Sequence, residues 1–210
     1  MTTTAEAYRA NYDQIARDHL AHWRATGVNP WQSAVHVEAV GEATAQFIRS
    51  YSSPMDPILD AGCAMGDLLM RVSDRDLHGC DFNAEYLEVA ATRGVKTALC
   101  DLEQTPYADG VFALVACTDV LEHVMDLNRV VWEMLRVLRP GGVLVIRTPD
   151  SEDLTGYLEP DYPYRFVHLR RFDAPGWRLL LDRVFGLEVL AVERVFGTAW
   201  EVNAVARKPL

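Results

Sequence analysis

Several features that would assign a chain to a particular class of protein are missing from these 210 residues. The four cysteines form no C-x-x-C pair, so the sequence supports neither a zinc site nor a disulfide framework, and we predict no bound metal. The formal charge is −10, and no basic cluster is dense enough to follow a phosphate backbone. Nucleic acid and anionic membranes are therefore not expected as partners.

Long apolar segments are missing too. No apolar run approaches the roughly 20 residues needed to cross a bilayer. The first residues, MTTTAEAYRANYDQ, have no basic flank leading into an apolar core, so a secretory signal is not expected. We expect a soluble, cytoplasmic protein.

What the chain does contain is a regular alternation of β-branched apolar runs and segments with helical periodicity. Half of the residues are apolar, which is enough for one domain with a full core. The alternation predicts a parallel sheet with helices on both faces. The predicted strands lie at residues 58–59, 77–80, 95–100, 111–117 and 143–146, and the predicted helices at 66–72, 84–93 and 127–138.

The C-terminal part predicts a different arrangement. A helical segment at 174–184 precedes two β-rich runs at 187–196 and 199–206, which only Gly197 and Thr198 separate, a length typical of a hairpin. The predicted fold class is therefore α/β: a doubly wound, mostly parallel seven-stranded sheet closed by an antiparallel C-terminal hairpin, with helices on both faces.

The stretch PILDAGCAMGDLL, residues 57–69, joins the first predicted strand to its helix through a glycine-containing turn. Such a turn lets a ligand approach the backbone closely. The dinucleotide pattern G-x-G-x-x-G fails because Ala64 and Asp67 stand where it needs glycines, and the phosphate loop fails because no lysine follows Gly66. The loop therefore suits a ligand without phosphates, and Asp60 is placed to attract a cationic group.

These residues resemble a known family. DAGCAMG, residues 60–66, is similar to the D-x-G-x-G-x-G loop of class I S-adenosylmethionine-dependent methyltransferases, with Ala64 in place of the middle glycine. GCDFN (79–83) resembles their second-strand acid, and CDLEQTPYADGVFALVACTDVLEHV (100–124) their adenine contact, fourth strand and following segment. VLRPGGVLVIRTP (137–149) resembles the stretch that enters their fifth strand. The resemblance implies S-adenosylmethionine as the cofactor.

The same resemblance implies which residues hold that cofactor. Asp81 lies about twenty residues beyond the loop, where an acid that binds ribose hydroxyls belongs, although it could instead cap the helix that starts there. Asp101 and Leu102 would frame the adenine. The predicted cofactor-binding residues are Asp60, Gly62, Cys63, Gly66, Asp81, Phe82, Asp101, Leu102, Cys117 and Thr118.

Each cysteine falls at the carboxyl end of one of the first four predicted strands, the edge where ligands bind in open parallel sheets. One hypothesis is that the four thiols line the cofactor pocket. The simpler interpretation, which we favour, is that they are small residues filling tight turns.

Two histidines are candidates for a general base. His123 follows the fourth strand, and an unperturbed imidazole titrates near pH 6.5, which suits removal of a proton from an acceptor. His168 is the second candidate. The alternative for His123 is a structural role in bracing its loop, and Glu122 is interpreted as a structural anchor.

The segment PDSEDLTGYLEPDYPYRFVHLRRFD, residues 149–173, is rich in tyrosine and arginine. In resembling enzymes it walls the acceptor site, and an N-terminal helical segment covers the cofactor and the acceptor. The alternatives are solvated arginines and a helix whose aromatic stripe merely packs on the sheet. The predicted substrate-binding residues are Tyr8, Tyr12, Trp31, Arg147, Tyr164 and Arg170.

We predict one methyltransferase domain, with an N-terminal helical lid (1–50), a cofactor-binding core (51–150), an acceptor wall (151–172) and a last helix and hairpin (173–210). The predicted function is methyl transfer from S-adenosylmethionine to a small-molecule acceptor, at a hydroxyl or carboxylate oxygen. A nitrogen or carbon acceptor stays open. So do a nicotinamide-dependent oxidoreductase and a non-catalytic cofactor-binding module.

Overall fold

The computed structural model describes residues 3–210. Its helices are α1 (Thr4–Thr26), α2 (Ala34–Tyr51), α3 (Asp67–Met70), α4 (Ala84–Thr92), α5 (Leu127–Val137) and α6 (Ala174–Leu179). Its strands are β1 (Pro57–Ala61), β2 (Asp76–Asp81), β3 (Lys96–Leu99), β4 (Phe112–Thr118), β5 (Leu138–Pro149), β6 (Glu188–Phe196) and β7 (Trp200–Arg207). A 3₁₀ turn at Thr155–Leu158 and a π-helical turn at Leu180–Val184 complete the regular structure of these residues.

All seven strands form one sheet, in the order β3-β2-β1-β4-β5-β7-β6. The first five strands pair in parallel, while β7 is antiparallel to both β5 and β6. The predicted fold class is confirmed. The strand order reverses between β1 and β4, and the carboxyl ends of strands at such a switch point are where open α/β sheets bind ligands.

The two faces of the sheet are covered by different helices. Because side chains alternate along a strand, Leu59 and Val115 point to one face, where they pack with apolar residues of α5 and α6. Ile58 and Leu114 point to the other face and pack with residues of α2, α3 and α4. This double cover explains why the central strands read as almost continuous apolar runs.

Two element boundaries differ from the sequence expectation. Strand β5 begins directly after α5 and contains the residues of RPGG. Its register with β4 passes from Leu138 opposite Phe112 to Val143 opposite Leu114, so residues 139–142 form an irregularity within the strand. The hairpin between β6 and β7 has three connecting residues, 197–199, and the Gly197 N–H donates to the Ala199 carbonyl at 3.1 Å.

Helix α1 lies across the carboxyl edge of the sheet. It begins with a capping box between Thr3 and Glu6. On its inner face Ala16 and Leu20 pack against Met65 of the glycine loop. The helix therefore covers the edge at which the loop ends. None of the helices within residues 3–210 is long and apolar enough to cross a membrane.

Candidate functional site

A cavity of about 1280 Å³ opens beneath α1, at the carboxyl ends of β1, β2 and β4. Pockets for one small ligand typically enclose roughly 300–1,000 Å³, so this cavity has room for two molecules. Eleven of the predicted site residues line it: Tyr8, Tyr12, Trp31, Gly62, Asp81, Phe82, Asp101, Leu102, His123, Tyr164 and His168.

We call one part of this cavity the loop end; it consists of Gly62, Ala64, Asp81, Phe82, Asp101 and Leu102. We call the other part the histidine end; it consists of Glu122, His123, Glu152, His168 and Glu201. Residues of both parts line the same space.

At the loop end, the backbone turns through left-handed conformations. Gly62 and Gly66 have φ of 83° and 80°, and Ala64 between them has φ of 44°. A left-handed conformation costs a residue with a Cβ roughly 1–2 kcal/mol, so Ala64 is strained where the related pattern has glycine. A Cβ on Gly62 would also collide with the Val120 side chain. The turn is therefore fitted closely to the segment after β4.

Asp81 holds this turn from the end of β2. Its carboxylate accepts hydrogen bonds from the Ala64 N–H at 3.0 Å and from the Asn83 N–H at 2.9 Å. Burial raises the pKa of Asp81, although these backbone donors oppose the shift. The cap of α4 is Asn83, whose side chain accepts from the Tyr86 N–H at 3.1 Å. The alternative reading of Asp81 as the helix cap is therefore not what the structure shows.

Asp101, Leu102 and Phe82 complete the loop end. Asp101 accepts a hydrogen bond from the Glu103 N–H at 3.0 Å, which fixes the turn after β3. Phe82 lies edge-to-face with Tyr12 of α1, at 5.9 Å between ring centroids. Helix α1 thus closes over the loop end through an aromatic contact.

Five predicted cofactor-binding residues lie behind the lining of the cavity: Asp60, Cys63, Gly66, Cys117 and Thr118. Asp60 is 2% exposed, and its Oδ1 has no hydrogen-bond partner among the described residues. Burial raises its pKa to about 7, with Arg147 opposing the shift. The lining contains none of the four thiols, and the Cys63 sulfur instead lies 2.6 Å from where a Cβ on Gly79 would be.

Two predicted substrate-binding arginines also lie outside the lining. Arg147 donates to the carboxylate of Asp119 at 2.6 Å and to the Thr44 hydroxyl at 3.2 Å. Burial opposes ionisation of Asp119, but the Arg147 guanidinium outweighs that cost and lowers the pKa of Asp119. Arg170 donates to the Leu121 carbonyl at 3.0 Å. Both guanidinium groups connect segments of the protein.

The histidine end is organised around His123. Its Nδ1 lies 3.0 Å from the Val167 carbonyl and 3.0 Å from the Tyr12 hydroxyl. Because a carbonyl only accepts, Nδ1 carries the hydrogen in the neutral ring, and Nε2 carries the lone pair. Burial, assisted by the neighbouring His168, lowers the pKa of His123 to about 4. The ring is therefore neutral near pH 7.

His168 lies edge-to-face with His123, at 4.6 Å between ring centroids. Its Nδ1 pairs with the carboxylate of Glu152, which also accepts from the Tyr157 hydroxyl at 2.6 Å. The segment after β5 thus brings a second oriented imidazole to the first.

The sequence analysis placed none of the acidic groups of the histidine end in the site, and it interpreted Glu122 as a structural anchor. Glu122 is 2% exposed, its Oε2 has no hydrogen-bond partner among the described residues, and burial raises its pKa well above the ordinary value. Glu201 of β7 lies 3.4 Å from His36, and burial raises its pKa to about 8. The available signal for Glu201 was an acid inside a mostly apolar strand.

Comparison with known proteins gives a family match for the central part of the chain. Residues 59–146 match a family model described as a methyltransferase domain. The chain is 32% identical over 128 residues to the probable tRNA methyltransferase 9B of Bos taurus, covering 53% of this chain and 28% of that protein. It is 38% identical over 96 residues to the demethylmenaquinone methyltransferase of Mycolicibacterium vanbaalenii, covering 45% of this chain and 42% of that protein. The chain therefore spans less than two thirds of the length of either relative.

The fold has close counterparts among solved structures. A S-adenosylmethionine-dependent methyltransferase from Thermotoga maritima superposes with a TM-score of 0.68 at 19% identity, over 95% of this chain and 99% of that chain. The match of residues 59–146 to a methyltransferase domain and the shared fold support the class I S-adenosylmethionine-dependent methyltransferase that the sequence predicted.

The loop end fits the cofactor of this class, S-adenosylmethionine. The turn at Gly62 leaves no space for a side chain, and the buried Asp81 carboxylate lines the cavity beside it. An adenosine group without phosphates requires a backbone that it can approach closely and an acid that binds its ribose hydroxyls.

Proposed function

We propose that this protein transfers the methyl group of S-adenosylmethionine to an oxygen atom of a small molecule bound at the histidine end of the cavity. The observation that carries the proposal is the neutral His123 ring, with Nδ1 occupied by the Val167 carbonyl and the Nε2 lone pair left for an acceptor. A hydroxyl acceptor must lose its proton during transfer, and a neutral imidazole can receive it.

The size and charge of the cavity favour a small molecule over a polynucleotide. Helix α1 closes over it, and the Tyr12 hydroxyl donates to the Val167 carbonyl at 2.9 Å across the gap. Carboxyl groups gather in the lining at and around the histidine end: Asp119, Glu122, Asp150, Glu152 and Glu201. Such a surface does not attract phosphates, and the whole chain carries a formal charge of −10.

The cofactor supplies a methyl group on a positively charged sulfur. In our proposal Asp81 binds its ribose hydroxyls and the turn at Gly62 receives its methionine part. Positioning two reactants in one cavity can lower the barrier of a bimolecular step by roughly 7–11 kcal/mol. Closure by Tyr8, Tyr12 and Phe82 keeps water from the reacting atoms.

On the acceptor side, His123 Nε2 takes the hydroxyl proton while the Val167 carbonyl stabilises the hydrogen on Nδ1. His168, held by Glu152, lies beside it and narrows the space for the acceptor. The tyrosines of residues 157–164 form the outer wall, where a flat acceptor would stack.

An amine acceptor is a second candidate, because the carboxyl groups of the histidine end would attract a cationic substrate. The two candidates differ in their preferred pH. A protonated amine becomes more reactive as pH rises towards its own pKa. Transfer to a hydroxyl that His123 deprotonates does not change between pH 6 and 9, because the pKa of His123 is lowered to about 4.

The proposal is tested first by cofactor binding and then by acceptor screening. By calorimetry, Asp81→Asn is expected to weaken S-adenosylmethionine binding at least tenfold, since a hydrogen bond to a charged group contributes roughly 1.5–3 kcal/mol. The matched control is Asp182→Asn, an exposed acid of the π-helical turn outside the cavity lining. Unchanged affinity in Asp81→Asn would remove the assignment of the ribose acid.

The acceptor screen uses S-adenosylmethionine with a labelled methyl group and panels of phenols, carboxylic acids, arylamines and transfer RNA. We expect label in the oxygen panels, and product analysis identifies the methylated atom. Label confined to amines or to RNA would overturn the oxygen proposal.

A further inference from the structure

We propose that Glu122, His123 and His168 form a binding site for one divalent first-row transition-metal ion, which coordinates the acceptor at the histidine end. The metal site stands on its own geometry; only the role of the ion in methyl transfer rests on the proposed function.

The three residues come together although one is distant in sequence. One nitrogen of each imidazole and one carboxylate oxygen of Glu122 lie within 4.8 Å of one another. Metal–ligand bonds of about 2.0–2.1 Å place neighbouring ligand atoms about 3 Å apart, so binding draws the three groups together by side-chain rotation.

The second nitrogen of each ring already has the partner that a metal-bound histidine needs. His123 donates from Nδ1 to the Val167 carbonyl at 3.0 Å, and His168 Nδ1 pairs with the Glu152 carboxylate. Histidine ligands of metals are oriented in this way by a carbonyl or a carboxylate on the other ring nitrogen. The arrangement leaves Nε2 of both rings with a lone pair for an ion.

The backbone that carries the ligands is cross-linked. The Leu169 N–H donates to the Glu122 carbonyl at 2.8 Å, directly beside both ligand segments. Arg170 donates to the Leu121 carbonyl at 3.0 Å and to the Met125 carbonyl at 3.0 Å. The segment after β4 is thereby fixed to the segment that carries His168, and the ligand set does not depend on a loop held at one end only.

Glu122 gives the independent indication that a cation belongs here. It is 2% exposed, and its Oε2 has no hydrogen-bond partner among the described residues. Two arginines beside lining acids are already paired, Arg147 with Asp119 and Arg194 with Asp150. Buried carboxylates are paired with a cation or coordinate a metal, and an ion between Glu122 and the two rings would satisfy that requirement.

The donor set points to the kind of ion. Two imidazoles and one carboxylate suit Zn²⁺, Co²⁺, Mn²⁺ or Fe²⁺, whereas Mg²⁺ and Ca²⁺ prefer oxygen ligands throughout. Three protein ligands leave positions for an acceptor oxygen, which is the arrangement of metal sites that act on a substrate.

Such an ion would change how the acceptor loses its proton. A bound divalent ion lowers the pKa of a coordinated hydroxyl, so that the proton leaves to solvent before transfer. The acceptor oxygen then forms its bond to the methyl carbon as the carbon–sulfur bond breaks. The bonding electrons stay on sulfur and neutralise its positive charge. When the metal ion is bound, His123 is one of its ligands. His123 acts as the general base only in the metal-free protein.

The experiment measures metal binding without turnover. The full chain is stripped with a chelator and titrated with Co²⁺, whose visible absorption reports its ligands, followed by competition with Zn²⁺ and Mg²⁺. We expect one Co²⁺ per chain, displacement by Zn²⁺ and no displacement by millimolar Mg²⁺. His168→Ala and Glu122→Gln are each expected to weaken Co²⁺ binding at least tenfold, while thermal melting shows that both variants are folded.

His22→Ala, which removes an exposed histidine of α1, is the matched control and should leave Co²⁺ binding unchanged. Equal loss in the control, no spectral change with Co²⁺, or equal competition by Mg²⁺ would overturn the metal proposal. A protein that binds no Co²⁺ but methylates an oxygen acceptor keeps the proposed function and refutes the metal site. A protein that binds Co²⁺ in this way but methylates only amines keeps the metal site and refutes the oxygen acceptor.

Discussion

At the loop end of the cavity the backbone shapes the site, whereas at the histidine end side chains from distant segments shape it. Gly62, Ala64 and Gly66 follow one another along a single turn, and Asp81 binds that turn at the end of the adjacent strand. By contrast, the hydrogen bond between Tyr12 and His123 joins residues 111 positions apart. The first kind of site depends on local conformation, and the second on the way helices and loops pack over the sheet.

The difference also concerns electrostatics. At the loop end, backbone N–H groups satisfy the carboxylate of Asp81. At the histidine end, Glu122 and Glu201 each retain a buried oxygen without a partner among the described residues. Buried polar groups without partners cost free energy, so a folded protein that keeps them near a cavity is expected to use them for binding.

The largest expected effect is at the loop end. Gly62→Val should abolish S-adenosylmethionine binding in calorimetry and lower stability by about 2–5 kcal/mol, the sum of left-handed strain and overpacking against Val120. The control is Gly94→Val, because Gly94 has φ of 86° but nothing within 4 Å of a Cβ. Equal loss of stability in both variants would show that the collision with Val120 is unimportant.

The next effect is at the histidine end. His123→Ala should lower kcat on the order of a hundredfold without changing cofactor affinity, since loss of a general base typically costs 10²–10⁴-fold. Because burial lowers the pKa of His123 to about 4, kcat/KM of the metal-free wild type should fall only as pH drops towards 4. The titration of this ring also depends on the groups that face it, which are His168, Glu152, Asp119 and Tyr12.

Stability gives a second measurement on the same residue. Burial disfavours protonation of His123 in the folded protein, whereas the unfolded chain binds this proton below about pH 6.5. The stability that the neutral ring contributes is therefore lost as pH falls from 6.5 through 4. That part of the pH dependence of denaturant unfolding should disappear in His123→Ala. A fall of cofactor affinity and stability together, with an unchanged pH profile, would indicate a bracing role instead.

A smaller effect is expected where α1 meets the segment after β5. The Asn11 side chain donates to the Phe166 carbonyl at 2.6 Å and accepts from the Phe166 N–H at 3.1 Å. Asn11→Ala leaves both backbone groups without partners, so α1 amides should exchange hydrogen faster, by a factor of about 5 to 150 for a cost of roughly 1–3 kcal/mol. Gln14→Ala, which removes hydrogen bonds made only within α1, is the control. Equal exchange in both variants would show that this contact does not hold α1 to the segment after β5.

The smallest effect returns to the loop end. Ala64→Gly should raise stability by about 1 kcal/mol or less, because relief of left-handed strain exceeds the entropy cost of glycine only slightly. Thermal melting should then shift upwards by roughly 2–4 °C at most. Ala61→Gly, in extended backbone of β1, should shift it downwards. A decrease in Ala64→Gly would mean that the turn gains more from its methyl group than it loses in strain.

The sequence was sufficient for the sheet and for the loop end because both depend on local patterns. Alternating apolar runs gave the parallel strands, and the order of glycines and acids placed Gly62, Asp81, Asp101 and Leu102 in one cavity. The prediction was weaker for Asp60 and Cys117, which end up behind the lining, because a strand position does not say to which face a side chain points.

The chain's own sequence thus determined the fold class, the cofactor class and the position of the glycine turn, since periodicity and short motifs act over a few residues. Only the tertiary structure decided which polar groups meet at the histidine end. Glu122 and His123 adjoin in sequence, but His168, Glu152 and Glu201 reach them through the segment after β5 and through an antiparallel strand. Burial, which sets their pKa values and leaves Glu122 without a partner, exists only once those segments have packed together.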